Sequence, residues 1–558
     1  MRASPITAIA TALSATLVAA GAPAAGAATG PRVADDLAPP LSAWRAHKRP
    51  VLRFVRRHNG RSLALSGRGA LVRALVPRPG ALSLDAMVPR GAVLELRFGA
   101  SRLTLAGARN GTVEARARKW RARVRPRARW ASGGWMHLEL AASGARPLAI
   151  DGRRLAAPLA LRGPLVVQAR RGRPQLAAVV ATQTGDSGGL LLHRLAALHA
   201  SVPLGRFPFG TGDDRRLHLS DGWTSGLWPG SLWRAYGLTR SRLFRSWALA
   251  ATLAHLGGEK TPIHDQGFRY LESSAAAFDR ICARRRTAGR TCRRLKASAL
   301  RAADTLVALQ RGNAAAGTIP TLPASRRCRL CGSRREAETI VDSMMNVSLV
   351  EWAWRETGRA RYRDVARAHA HAVARLLVRP NGSTYQAVRV RRSDGKVIAH
   401  ETHQGLSANS TWSRGQAWAV YGFAYSGDAL RDPDLLGVAE RAADYVGDHL
   451  PARGVPPWDY SAPRGAPVDT SAGVITAAGL FRLASACARL PGACATPERW
   501  RPLAERMLTA SLAHVSARPP LGFLDDQVFS RGGSRRWDDH GEFIFGTDYA
   551  LEALASAG

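Results

Sequence analysis

The sequence predicts two architectures in tandem, an all-β sandwich-like front domain and an all-α (α/α)6 barrel. Two observations carry this. The hydrophobic period changes from two to helical near Gly189, and about twelve helical segments then follow, the number that six inner and six outer helices require. A length of 558 residues suits more than one domain, and 46% apolar content is that of a globular chain.

The elements follow in chain order. Arg2, the apolar small-residue run Ile6–Ala20 and Ala25-Gly26-Ala27 read as a signal peptide over residues 1–27, with the mature chain starting near Ala28. The expected location is therefore secreted or otherwise extracytoplasmic. No later segment reads as apolar for long enough to span a bilayer. Residues 28–185 form the β-rich accessory domain. Val93–Phe98 and Met136–Leu140 alternate apolar and polar residues, and turn residues at Gly144–Pro147 and Asp151-Gly152 separate such runs. The stretch from Trp135 to Gly152 resembles lectin-like sandwiches. This domain is either a glycan-binding module or a structural body leaning on the barrel.

Residues 186–558 form the barrel. Its helices are expected to begin near Leu190, Gly226, Ser241, Phe268, Arg293, Ala337, Arg361, Ser413, Pro433, Ser471, Pro497 and Glu542. Residues 312–335 and 380–411 read as long loops, the second with a strand from Thr384 to Val390 and a turn at Asp394-Gly395. A barrel of this kind places its site at one mouth, where loops join the helices.

Six cysteines fall in close pairs, Cys282 with Cys292, Cys328 with Cys331, and Cys487 with Cys494. In an oxidising compartment an even count reads as disulfides, and neighbouring pairs are the candidates. Cys328-Arg329-Leu330-Cys331 could be half of a zinc site, but no second half lies nearby in sequence. The charge is strongly basic: 81 Lys and Arg against 41 Asp and Glu, a net +40, with only five lysines among the cations. Coding bias accounts for arginine over lysine, but not for half as many acids as bases. The remaining field favours anionic glycans. It carries no recognised nucleic-acid motif.

Several segments concentrate Trp, His, Asp and Gln: Asp221–Gly230 (DGWTSGLWPG), Ile263–Phe268 (IHDQGF), Ile340–Asn346 (IVDSMMN), Thr402–Gly405 (THQG) and Thr411–Trp418 (TWSRGQAW). Rings stack on the apolar faces of sugars, amides bond hydroxyls, guanidiniums fork onto carboxylates, and carboxylates do acid–base work. Asp342 reads as lying inside an otherwise apolar helix, with Asn346 one turn on and on the same side. A carboxyl on a buried stripe must be paired or have a raised pKa.

Together with NGSTYQAV and VPPWDY, these segments resemble glycoside hydrolase family 88, the unsaturated glucuronyl hydrolases, from about Asp221 to Glu552. The resemblance implies an (α/α)6 barrel and an uncommon reaction. A 4,5-unsaturated uronic acid at the non-reducing end of a lyase product is removed by hydration of its C4=C5 enol ether. It implies that Asp342 is general acid and then base, and that Asp265 is the second carboxylate. His264 then bonds substrate or steers Asp265. Trp223 and Trp418 are stacking platforms or core. Gln404 and Arg414 bond the sugar or order water, with a helix-end ion pair as the other reading of Arg414, and Asn346 and Gln386 are further candidates for contact with substrate. No metal or organic cofactor is implied. Two departures fall on recognition. The family's histidine in the Ser-Thr-Tyr-His pattern is Gln386 here, and Thr318–Leu322 lacks the family's tryptophan. Gln386 can bond but cannot titrate. A related hydrolase of unsaturated rhamnogalacturonyl pectin fragments, and a non-catalytic glycan-binding barrel, are the rival readings.

Overall fold

The computed structural model describes residues 79–183 and 202–557 apart from short connecting stretches, the longest being 125–134 and 530–540. It also describes strands between residues 33 and 73 and helical turns between 191 and 199. The signal-peptide segment, Cys328, Cys331 and the expected domain boundary near residue 185 lie outside the described residues.

The front half is two antiparallel sheets, one of eight strands and one of seven. The seven-stranded sheet contains β1 (Val93–Phe98), β2 (Ser101–Gly107), β3 (Val113–Ala117), β4 (Trp120–Val124) and β5 (Leu165–Arg171). Its order runs β4-β3-β2-β1-β5 and continues into Ala70–Arg73 and Trp44–His47. Alternation puts Leu94, Leu96, Leu103 and Leu105 of this sheet into one core with Leu82, Leu84, Met136 and Leu138 of the other. Two apolar faces closing on each other make the sandwich. This core is separate from that of the barrel.

The barrel is built from helix pairs. After the turns at 191–199 come α1 (Leu227–Thr239) and α2 (Arg242–His255). Next is α3 (Gln266–Tyr270), continued through a π turn at Leu271–Ala275 into α4 (Ala276–Ile281). Then follow α5 (Arg290–Arg311), α6 (Ser343–Asn346) continued by α7 (Ser348–Thr357), α8 (Ala360–Leu377) and α9 (Ser413–Leu430). The last are α10 (Pro433–His449), α11 (Thr470–Arg489), α12 (Trp500–Leu512) and α13 (Ile544–Ala557). The inner helices are buried nearly all round, while α5, α8, α10 and α12 each keep a polar outer face. The ring closes where α13 packs on α1. Every inner helix starts at the same end, so the motif-bearing segments converge on one mouth.

Local signals explain the boundaries. Asp432 caps α10, its side chain accepting from the Leu435 N–H, with Pro433 as the first helical residue. Gly358, at φ 67°, ends α7 in the left-handed region.

Two expectations are corrected. The helix expected from Ala337 starts at Ser343, because residues 336–340 are a strand, β6 (Glu336–Ile340). It pairs with β7 (Ala387–Arg391), which pairs with β8 (Val397–Glu401), forming a small antiparallel sheet beside the mouth. Also, α11 is long and apolar enough to cross a membrane by length and composition, but most of it is buried inside the barrel. A central helix of a ring has no polar side to show. Cys282–Cys292 and Cys487–Cys494 are disulfides with Cα–Cα separations of 5.8 and 5.5 Å.

Candidate active site

Asp342 sits at the junction of β6 and α6, as the residue that precedes the helix and not inside it. Short bonds fix its backbone. Val341 N donates to Gln386 O at 2.9 Å, and Met345 N to Asp342 O at 2.9 Å. Asn346 is fully buried; its Nδ2 reaches Asp342 O at 3.3 Å and its Oδ1 accepts from Phe268 N at 2.9 Å. Asn346 is thus a tie between the Asp342 turn and the start of α3, which corrects its expected contact with substrate. Gly267 makes the tie possible, because a Cβ there would overlap the Asn346 backbone.

The Asp342 side chain is half-buried, and its Oδ1 is shielded without a hydrogen-bond partner among the described residues. Burial pushes its carboxyl up to about 6. His264, its own backbone N–H and Arg414 pull the other way, and Asp265 adds a small upward push. His264 is buried, with Nε2 3.3 Å from Asp265 Oδ1, while its N–H donates to Thr321 O at 3.2 Å. Asp265 keeps about a quarter of its side chain exposed. The site therefore brings together a carboxyl that keeps its proton up to about pH 6, a second, more exposed carboxyl group, and an imidazole beside it.

Gln386 is 3% exposed and does not face the mouth as a ligand. Its Oε1 accepts from Thr402 Oγ1 (2.6 Å), His403 N (2.8 Å) and Gln404 N (3.0 Å), and its Nε2 donates to Gln404 Oε1 (2.8 Å). An amide accepts and donates at once, so it braces the Thr402–Gln404 loop. The Gln404 side chain also donates to Phe529 O at 3.2 Å. Gln386, expected to bond at the mouth, braces this loop instead, while Gln404 helps to hold the loop and stays partly exposed.

Arg414 is 1% exposed, bonding Asp469 at 2.9 Å and the carbonyls of Val528 and Phe529, and lying over the rings of Trp412 and Phe545. Asp469 in turn caps α11. The helix-end ion pair is the arrangement found, and the guanidinium acts on Asp342 through its field. Trp418 is fully buried and edge-on to Phe268 and Tyr549, so it packs the wall and offers no open ring face. Its place as the sixth residue of a largely buried inner helix decides this. Trp223 is partly exposed, lying on Phe545 and tilted against Phe268, and remains a ring that a sugar can meet.

Three residues went unassigned by motif reading. His403 bonds buried Glu338 at 2.7 Å, which raises the imidazole pKa, and Asp342 contributes to that rise. Asp459, in the WDY segment, is fully buried and accepts from Leu406 N and Ser410 Oγ, holding the loop above Gln404. Asp469 is the partner of Arg414. For His403 and Asp459 the clue was a polar residue inside a dense motif, whereas Asp469 lies outside the motif segments, and in each case the partner is far away in sequence. Among the described residues the one cluster with metal-like donors, Glu440 with Cys487 and Cys494, has both sulfurs committed to a disulfide.

No family model matches the chain. It is 34% identical over 371 residues to an unsaturated glucuronyl hydrolase of Bacillus sp. (strain GL1), covering 62% of this chain and 90% of that protein. It is 28% identical over 359 residues to an unsaturated chondroitin disaccharide hydrolase of Streptococcus pyogenes serotype M1, covering 62% and 84%. The fold matches a crystal structure of an unsaturated glucuronyl hydrolase specific for heparin, with a TM-score of 0.59, 25% identity, and coverage of 66% of this chain and 95% of that one.

Proposed function

The chain belongs to the unsaturated glucuronyl hydrolases, glycoside hydrolase family 88, and from that premise we propose that it removes a 4,5-unsaturated uronic acid from the non-reducing end of lyase-generated oligosaccharides. The observation that carries the reading is the Asp342 carboxyl, held at the barrel mouth at about 6 beside His264 and Asp265. Such a group is a proton donor near neutrality and, once ionised, a base.

In the proposed reaction Asp342 gives its proton to C4. Positive charge builds at C5 and the ring oxygen. The Asp342 carboxylate then takes a proton from the water that attacks C5, which restores the acid. The resulting hemiketal opens and releases the rest of the glycan. Asp265 and His264 orient the reacting end, and Trp223 is the ring that meets the sugar face. The unsaturated chondroitin and heparin specificities of the relatives, with the net +40 charge, support a glycosaminoglycan type of substrate. Export is part of the proposal, supported by two disulfides.

The test is loss of the ultraviolet absorbance of unsaturated disaccharides over a panel of sulfated, unsulfated and pectin-derived substrates. Hydration of glycosaminoglycan disaccharides is expected. A purified, folded chain that hydrates none of the panel overturns the reading.

A further inference from the structure

We propose that the front domain carries a binding face for an anionic glycan chain on the outer side of its seven-stranded sheet. The inner side of β1 to β5 is apolar core. On the outer side the strand register sets arginines side by side. Arg121 lies opposite Arg116, and Arg116 opposite Thr104; the row continues through Glu95 to Gln168. The neighbouring rows set Arg102 opposite Arg97 and Arg123 opposite Glu114. Arg170 joins from β5 by bonding Glu95 at 2.7 Å. Among the described residues of these five strands, the face holds seven arginines, counting Arg171 opposite Val93, and two carboxylates.

The cations point outward and the shared acid lies beneath them. The side chains of Arg97, Arg102, Arg116 and Arg170 are 40–59% exposed, while Glu95 is 4% exposed. Glu95 meets Arg170 at 2.7 Å, Arg97 at 3.6 Å and Arg102 at 3.7 Å. One carboxylate shared by three guanidiniums anchors them without cancelling their charge. Strands about 4.8 Å apart then hold the positive groups at a regular pitch. Guanidinium forks suit sulfate and carboxylate groups.

Arginines also occur in the other sheet, at Arg53, Arg56, Arg57, Arg61, Arg153 and Arg154, while its strands Pro79–Met87 and Trp135–Ala141 hold none. What marks the seven-stranded sheet is the exposed set of guanidiniums gathered over the one buried carboxylate of Glu95. A glycan fits better than a nucleic acid. The outward positions of β1 to β5 include no aromatic ring on which a base could stack, and Thr104 and Gln168 are polar neighbours suited to hydroxyls. The choice of a glycan also rests on the proposed reading of the barrel.

The test titrates the full chain with a heparin octasaccharide, its desulfated form and a DNA duplex of equal charge, at low and high salt. The variant is Arg102→Gln/Arg121→Gln/Arg123→Gln, which leaves Arg97 and Arg170 on Glu95. We expect the sulfated octasaccharide to bind at least tenfold more weakly to it, with kcat/KM for an unsaturated disaccharide unchanged. Arg290→Gln/Arg294→Gln, which removes exposed charge from α5, should leave affinity as it was. Arg121→Gln/Arg123→Gln, confined to the edge strand β4, serves if the triple variant unfolds, with a loss of about threefold expected. Unchanged affinity in the sheet variants, an equal loss in the α5 variant, or tighter binding of DNA than of glycan overturns the proposal. Binding is read apart from hydration, so failure of the barrel reading leaves this result interpretable.

Discussion

Replacing Asp342 by asparagine should do two opposite things, and both follow from the same burial. Asparagine is nearly isosteric but cannot donate and retake a proton, so hydration should fall by about 10²–10⁴-fold or more. Stability should rise. The folded carboxyl titrates at about 6 against an ordinary value of 3.8, so the folded state holds a proton that the unfolded chain has lost. The sign follows directly. The contribution of Asp342 to stability is greatest below about pH 4, falls as pH rises to about 6, and is flat above that. At roughly 1.4 kcal/mol per pKa unit, the cost at pH 7 is at most about 3 kcal/mol, and less because the side chain is only half-buried. The variant lacks this slope. Denaturant unfolding of both proteins from pH 3.5 to 8 should show the asparagine variant gaining on wild type across pH 4–6 and keeping the gain at pH 7. Near-wild-type turnover would remove Asp342 from the chemistry. A stability difference that does not change with pH would refute the claim that burial holds its proton.

Neighbouring charges should move the alkaline limb of the residual activity in opposite directions. His264→Gln removes the strongest group pulling Asp342 down and should shift the limb up, while Asp265→Asn removes a like charge and should shift it down; a common direction for both would refute the electrostatic account. Gln386→Leu removes a buried acceptor of three bonds and should raise KM more than it lowers kcat, with about 2–3 kcal/mol lost in unfolding, because three donors in the Thr402–Gln404 loop lose their partner; an unchanged KM in steady-state kinetics would show that the loop does not border the substrate. Glu351, buried on α7, is pushed up to about 8 by desolvation, so stability from it is lost as pH rises from about 4.5 to 8. Glu351→Gln should flatten the unfolding profile in that window with hydration intact, and an unaltered slope would place the titration elsewhere.

The broad architecture was legible because it depends on repeating patterns. Period-two runs and a series of amphipathic or all-apolar helical segments define a sandwich and a ring of helices before any contact is known. The helix starts read from capping and periodicity fall close to those observed, since both signals are local. The exception at Ala337 shows the limit. Ala337, Thr339 and Val341 alternate, but too few residues separate that run from the helical one for periodicity to divide them. The motif segments were legible as well, because hydrolytic chemistry needs a dense mixture of rings, amides and acids.

Only tertiary structure decided which of those side chains are available. Asp342, His264, Asp265 and Trp223 converge on the mouth. Gln386, Asn346, Arg414 and Trp418 are buried and spent on bonds and packing that hold the mouth in shape, and Gln404, partly exposed, is tied into the same frame. Their partners Phe529, Phe268, Asp469 and Tyr549 lie between 55 and 131 residues away in sequence. Sequence spacing carries no information about such pairs. Burial, which sets the proton affinity of Asp342 and the fate of each ring and guanidinium, is a property of the closed barrel and not of any segment of it.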